Sequence, residues 1–475
     1  MTSRKMGIGS ANMSIFASEE PSVTGRSKYK RVVASIEAGI SKGKFPIGER
    51  LPPHRELARH FDVTVATLAK AIGDLRRRGI LTTKIGSGTF VAGSPESRAE
   101  HAGPAGHIDL GLNVPPLEPV ERMLADVMAD LARSAQISRQ ASALGYEPIG
   151  GSHAARILGA DWLKLRGLSA SPDEILIVQG AHEGLLAALK TVVRPGDTVL
   201  TEALNYSGLR RIADLLQLRL VGIPITGEGL DVEAFSRLAR DPSVRAAVLT
   251  PVTHNPTATT LTTAQRQVIV AAARNAEIML IEDDIYGHLT GDEQPLLAML
   301  APERTILTTS FSKCVAPGIR LGYLAAPATY VEPLRQTLYS LGWSASALQV
   351  SLINALMVAN VAEPCVTAQR KEAIRRMHMA SRLLGPSLIT GSGLATYHAW
   401  LNLPAARGLA GFVSDLALRG ILISPSYHFT MDDSPPPEAV RLALSAARDD
   451  NELESVLLRI AAALAAGGNG PGAIV

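Results

Sequence analysis

From Ile108 onward, short apolar or β-branched runs recur along the chain, with helical stretches between most of them: Ile175–Val178, Thr198–Leu200, Ala246–Thr250, Ile278–Ile281 and Thr305–Thr308. Neighbouring parallel strands need a long crossover connection, usually a helix, so this alternation predicts a mostly parallel sheet wrapped by helices. After about Pro327 long helices dominate, and a short α+β segment follows near Tyr397–Leu403 and Val440–Leu444. The expected body is therefore an α/β domain over 108–466 with a smaller C-terminal α+β subdomain. Open α/β sheets bind ligands beyond the C-terminal ends of their strands, so polar residues just after these runs are the candidates for chemistry.

Charge separates a second module from this body. Residues 26–93 hold 14 Lys and Arg against 5 Asp and Glu, a net of +9 in a chain whose total is +3, which leaves −6 for the rest. A basic module on an acidic body points to a polyanion as the partner of the module alone. Val32, Val33, Ile36 and Ile40 recur at helical spacing over about Lys28–Lys42. Pro52 and Pro53 open a short helix, Arg55–His60, and Asp62-Val63-Thr64 turns the chain. Thr64 caps a further helix that carries Leu68, Ala71, Ile72 and Leu75 on one face. Two short helices across a tight turn make a helix-turn-helix. Gly79–Lys84 and Gly88–Val91 then form a hairpin with Ile85-Gly86-Ser87 near its tip, a wing.

The run Gly48–Leu57, with Ala58, Val63, Thr64, Leu75, Gly79, Leu81, Gly86 and Gly88-Thr89-Phe90-Val91, resembles the DNA-binding domain of GntR regulators over its whole length. The resemblance implies double-stranded operator DNA as partner, the second helix of the pair in the major groove, and contacts from Arg55, Thr64, Thr67 and the wing residue Gly86. One departure stands out: many members carry Arg where this chain has Val65.

In the body, Ser310-Phe311-Ser312-Lys313 is followed by Pro317-Gly318-Ile319-Arg320-Leu321-Gly322-Tyr323. A lysine just after a strand, with an arginine seven residues on in a Gly-flanked strand, suits a bound phospho-aldehyde: an amine for a Schiff base and a guanidinium for phosphate. Gly180-Ala181-His182-Glu183 opens a helix after Ile175–Val178, and a helix N-terminus is an anion site. Asn255, in His254-Asn255-Pro256-Thr257, offers an amide donor to a phenolate oxygen. Glu282-Asp283-Asp284 ends another strand; a carboxylate there pairs with a protonated pyridine nitrogen, and without a cofactor the run would be like-charge repulsion with no evident gain. Tyr206 can stack on a ring face.

In this order the segments resemble the class I, fold-type-I pyridoxal 5'-phosphate (PLP) aminotransferases, from about Ile108 to Ala465. The resemblance implies Lys313 as the Schiff-base lysine and Asp283 as the partner of the pyridine nitrogen. Asn255 and Tyr286 then bond the ring hydroxyl, Tyr206 stacks on the ring, and Ser310, Arg320, Ala181 and His182 hold the phosphate. Tyr146 matches a tyrosine that reaches the phosphate from the partner subunit, and Arg441 an arginine that clamps a carboxylate. Ala258 departs from the usual Gly, and His182 from the usual small or amide residue. A GntR-like module joined to such a domain resembles the MocR branch of GntR regulators. That implies a homodimer whose operator binding is controlled by a small amino compound, or PLP itself, reacting at Lys313. The alternative is a working class I aminotransferase carrying a DNA-binding domain.

The remaining features bound the setting. Two cysteines, Cys314 and Cys365, exclude a disulfide framework and suit a reducing cytosol. There is no signal-peptide pattern and no apolar run of roughly 18 residues, so a cytoplasmic protein with no membrane partner is expected. Scattered histidines and the lack of a Cys-x-x-Cys argue against a metal site. Residues 1–26 read as a flexible leader, 27–93 as the winged module, 94–107 as a linker and 467–475 as a disordered tail.

Overall fold

The computed structural model describes residues 28–41, 51–77, 80–84, 88–91, 107–137, 145–227, 229–389, 395–404 and 407–465. The expected leader, the linker up to residue 106, the wing tip with Gly86, and the tail lie outside the described residues. The chain divides into two compact units, Met1–Ala105 and Gly106–Val475.

In the small unit, helices Lys28–Ser41, His54–His60 and Val65–Arg77 precede strands Leu81–Lys84 and Gly88–Val91. The predicted periodicity is the packing pattern: Val32, Ile36, Leu57, Leu68, Leu75, Leu81 and Val91 share one core. The strands pair antiparallel with Leu81 opposite Val91 and Lys84 opposite Gly88. The turn between the second and third helices passes through Asp62 at φ 48°. Thr64 then caps the third helix, accepting the Thr67 N–H at 3.1 Å. Its hydroxyl is also 2.9 Å from that of Thr67. The two hydroxyls expected to meet DNA thus also hold the helix start. Thr64→Ala should cost the small unit about 1 kcal/mol and Thr64→Ser far less, read as a shift of its transition in urea denaturation of the full chain.

The large unit is built on a seven-stranded sheet ordered Ile175–Val178, Gly322–Ala325, Thr305–Ser310, Met279–Asp283, Val244–Leu249, Thr198–Glu202, Arg219–Ile223. Every neighbouring pair is parallel except those made by Gly322–Ala325, which runs opposite to both neighbours. The mostly parallel sheet is therefore as expected, with a strand at Arg219–Ile223 that the apolar runs did not mark. A four-stranded antiparallel sheet, Leu388–Ile389, His398–Asn402, Ala439–Ala443 and Ser424–Pro425, forms the C-terminal subdomain. Arg320 departs from its expected place: it is not in a strand but closes the turn Pro317–Ile319 at φ 49°, two residues before Gly322. Helix Ala181–Val192 lies hard on the sheet because residue 184 is glycine; a Cβ there would fall 2.2 Å from Thr308 Oγ1. That approach fixes where the helix N-terminus sits. Among the described residues no single helix is long and apolar enough to cross a membrane.

Candidate functional site

The candidate residues converge where the sheet's parallel strands end. Asp283 and Ser310 are the last residues of their strands, Gly180 lies two residues past Val178, and Asn255 and Tyr206 follow Val244–Leu249 and Thr198–Glu202. The acidic run shows how the site is made. Side chains alternate across a strand, so Glu282 and Asp284 share one face and Asp283 has the other. Glu282 accepts the backbone N–H groups of Leu297 at 3.0 Å and Ala298 at 2.9 Å, at the start of a short helix. Asp284 accepts Arg166 Nε at 3.0 Å. The expectation that without a cofactor the run would bring no evident gain is corrected in part: two of the three carboxylates have structural partners. Asp283 Oδ1, buried, has no hydrogen-bond partner. Burial, then Asp284 and Glu202, push its pKa up to about 8, against the pull of Lys313.

Lys313 donates from Nζ to the backbone carbonyl of Asn113. Burial of the amine, then Arg441 and Arg320, lower its pKa to about 8, and Asp283 opposes them. Asn113 Nδ2 also donates to the Tyr286 hydroxyl at 2.9 Å and approaches His398 Nδ1 at 3.1 Å. His398 Nε2 meets the His254 carbonyl at 3.1 Å, which makes Nε2 the protonated nitrogen and Nδ1 the acceptor. Burial, with Arg441 next, holds His398 neutral, its pKa at about 3. Arg441, on the C-terminal sheet opposite Trp400, donates to Asn255 Oδ1 at 2.8 Å and to the Gly111 carbonyl at 2.6 Å. Its guanidinium carbon lies 4.8 Å from the Phe429 ring centroid.

A second group forms an anion cradle. Ser310 Oγ receives the Ser312 N–H at 3.1 Å and lies 3.1 Å from Ser312 Oγ. Arg320 Nη1 reaches the same Ser312 hydroxyl at 3.4 Å. Gly180 caps helix Ala181–Val192 at φ 83°, and a Cβ on it would stand 3.4 Å from Arg320 Nη2. Helix N-terminus, serines and guanidinium thus face one small space. His182 sits edge-on to Tyr206 at 6.0 Å between ring centroids. Partial burial of its ring, then Arg320 and Arg211, lower its pKa, so it is a neutral neighbour of the cradle. Tyr146 is the one candidate outside this cluster: it is 89% exposed, bridges to Ser346, and lies 5.8 Å from the Trp343 ring.

These residues fit PLP. Asp283 is a buried carboxylate lacking a cationic partner of its own, the cradle offers a phosphate its donors, and Lys313 lies between them. Asn255, its oxygen taken by Arg441, has its NH2 end to donate to a ring hydroxyl. Sequence reasoning missed Asn113, His398 and Glu202, and gave Ser312 no role. Glu202 accepts the Thr250 N–H at 2.9 Å and Asn205 Nδ2 at 2.7 Å, and burial raises its pKa to about 7. Asn113 carries no periodic signal because it lies in the irregular stretch between Ile108–Asp109 and the helix Glu121–Ile137. Ser312 was in view, one residue before Lys313. Among the described residues no group of His, Cys, Asp or Glu is arranged to hold a metal.

A family model described as aminotransferase class I and II matches residues 105–460, and one for bacterial regulatory proteins of the gntR family matches residues 28–91. An uncharacterized HTH-type transcriptional regulator of Bacillus subtilis, YdeF, is 29% identical, covering 90% of this chain and 93% of that protein. The HTH-type transcriptional regulator TauR of Rhodobacter capsulatus is 28% identical over 84% of this chain and 89% of its own. The pyridoxine biosynthesis regulator PdxR of Corynebacterium glutamicum is 28% identical, over 74% and 76%. Among solved structures, a Pyrococcus horikoshii kynurenine aminotransferase superposes with a TM-score of 0.71 at 19% identity, covering 84% of this chain and 100% of that one.

The raised Asp283 pKa has a measurable consequence for the cofactor-free protein. A carboxyl whose folded pKa is about 8, against an ordinary 3.8, holds its proton more tightly when folded, so its contribution to stability is lost as pH climbs through that window. Asp283→Asn should therefore gain stability over the cofactor-free parent progressively from pH 4 to 8, measured by chemical denaturation. With PLP bound the order should reverse.

Proposed function

The chain belongs to the aminotransferase class I and II family and carries a gntR-family regulatory domain, the layout of MocR-type transcription regulators, and we propose that a small amino compound captured in the large unit sets the affinity of the small unit for operator DNA. PLP, the family's cofactor, supplies an aldehyde that captures amines and a ring that draws electrons from them. Asp283 holds the ring nitrogen, Ser310, Ser312, Arg320 and the helix N-terminus at Ala181 hold the phosphate, and Lys313 supplies the protein's own amine. Arg441 is the group for an effector carboxylate.

One observation carries the reading. The two side chains an effector would engage, Lys313 and Arg441, both hydrogen-bond the backbone of the same short segment, at Asn113 and Gly111. That segment opens the large unit, directly after the residues that lead from the DNA-binding module. An effector amine that takes the place of Lys313, and a carboxylate that takes up Arg441, change what holds this segment. A ligand shifts an equilibrium only through such differential contacts. A second copy of the chain completes the site: Tyr146 stands 89% exposed in a run of surface aromatics with Trp343 and Tyr339. The homodimer then offers two modules to two related half-sites, with Arg55 exposed on each.

A turning-over aminotransferase is the second reading, and one observation favours it. The Lys313 amine is held down to about 8, where it can take up or give a proton near neutral pH. Titrating PLP-loaded protein with a panel of amines and amino acids separates the two. An amine that alters the visible absorbance of the bound cofactor should also change operator affinity by about 5- to 150-fold, and Lys313→Ala should lose both responses while keeping salt-sensitive DNA binding. An absorbance change with no change in DNA affinity overturns the coupling. Sustained product formation with a keto-acid acceptor establishes the second reading.

A further inference from the structure

In a helix-turn-helix the base edges are met by the first turns of the second helix. Here that helix is Val65–Arg77, and its buried face is Leu68, Ala71, Ile72 and Leu75. Its exposed start is Val65, 48% exposed, with Ala66 and Ala69. Neither alanine nor valine has a side-chain donor or acceptor. Thr64 and Thr67, the only hydroxyls of the first turn, are bonded to each other and to the Thr67 N–H. The first long polar side chain along the helix is Lys70, whose ammonium lies 5.0 Å from the Tyr29 ring centroid. What covers this face is duplex DNA, given the gntR-family match over residues 28–91 and the net +9 of residues 26–93.

An apolar surface in a major groove has one chemical group to recognise, the C5-methyl of thymine, because every other distinguishing feature of the base edges is a hydrogen-bond donor or acceptor. We propose that Val65 reads a thymine methyl in each half-site, and that the recognition helix selects A·T pairs by apolar contact where a long basic side chain would select guanine. The flanking Ala66 and Ala69 let the helix backbone approach the base edges closely. This inference rests on the DNA-binding reading above and refines its specificity. Phosphate contacts from the module's basic residues supply affinity without sequence information.

The test starts from duplexes selected out of a random pool by the full-length, PLP-loaded protein. In the selected half-site each thymine is replaced in turn by uracil, which removes only the methyl, and each guanine by 7-deazaguanine, which removes only the N7 acceptor. The expected result is one thymine per half-site whose replacement weakens binding about fourfold, the worth of one buried methyl-sized group. In Val65→Ser, whose exposed site leaves the core untouched, thymine and uracil duplexes should bind equally. The proposal is overturned if no uracil replacement matters while 7-deazaguanine costs binding, or if the uracil effect persists unchanged in Val65→Ser. A pool that yields no preferred sequence overturns the DNA reading itself, and this inference with it.

Discussion

A buried carboxyl with an unpartnered oxygen is costly to ionise, and the large unit keeps one at Asp283, its pKa pushed up to about 8. Desolvation of a charge costs several kcal/mol unless a counter-charge or hydrogen bonds repay it. Three acidic residues in a row at a strand end would normally be a fault. The fold repairs two of them, Glu282 with the amides of Leu297 and Ala298 and Asp284 with Arg166, and leaves Asp283. Asp283 keeps Oδ1 without a hydrogen-bond partner, with only the pull of Lys313 against its burial, and this is the position at which the proposed cofactor ring nitrogen would be met.

The rest of the pocket follows from the same sheet. Gly184 lets the helix after Ile175–Val178 press onto Thr308, which sets its N-terminus beside Arg320. Lys313 then stands between an anion cradle and an acid, and burial of its amine, then Arg441 and Arg320, bring its pKa down to about 8 against the pull of Asp283. Arg441 arrives from a different sheet and reaches Asn255 and Gly111, so the C-terminal subdomain and the first segment of the unit meet at one guanidinium.

Much of this was legible in the sequence, for physical reasons. Strand ends of an open α/β sheet are readable because apolar runs stop abruptly there, so Asp283, Ser310, Lys313, Asn255 and Tyr206 were all in view. The helix-turn-helix was readable from one apolar stripe per helix. What escaped was of another kind. Asn113 lies in irregular backbone with no period, and His398 looks in sequence like any strand residue; its role arises only from pairing opposite Ala443, beside Arg441. Arg320 was read into a strand because Gly-flanked apolar sequence looks extended, but its left-handed backbone places it in the preceding turn. Thr64 reads in sequence both as a helix cap and, with Thr67, as a DNA contact; the structure shows the cap, with the two hydroxyls 2.9 Å apart.

That last pairing bears on how such a protein diversifies. The third helix divides its tasks among separate residues: the cap at Thr64 and Thr67, the core at Leu68, Ala71, Ile72 and Leu75, and an outward face at Val65, Ala66 and Ala69 with no structural duty in the described contacts. Substitutions on the outward face change what the helix meets without disturbing how it starts or packs. A lineage can therefore move such a regulator from one set of genes to another by a few single-codon steps, each leaving a folded protein, while the pocket of the large unit is inherited whole.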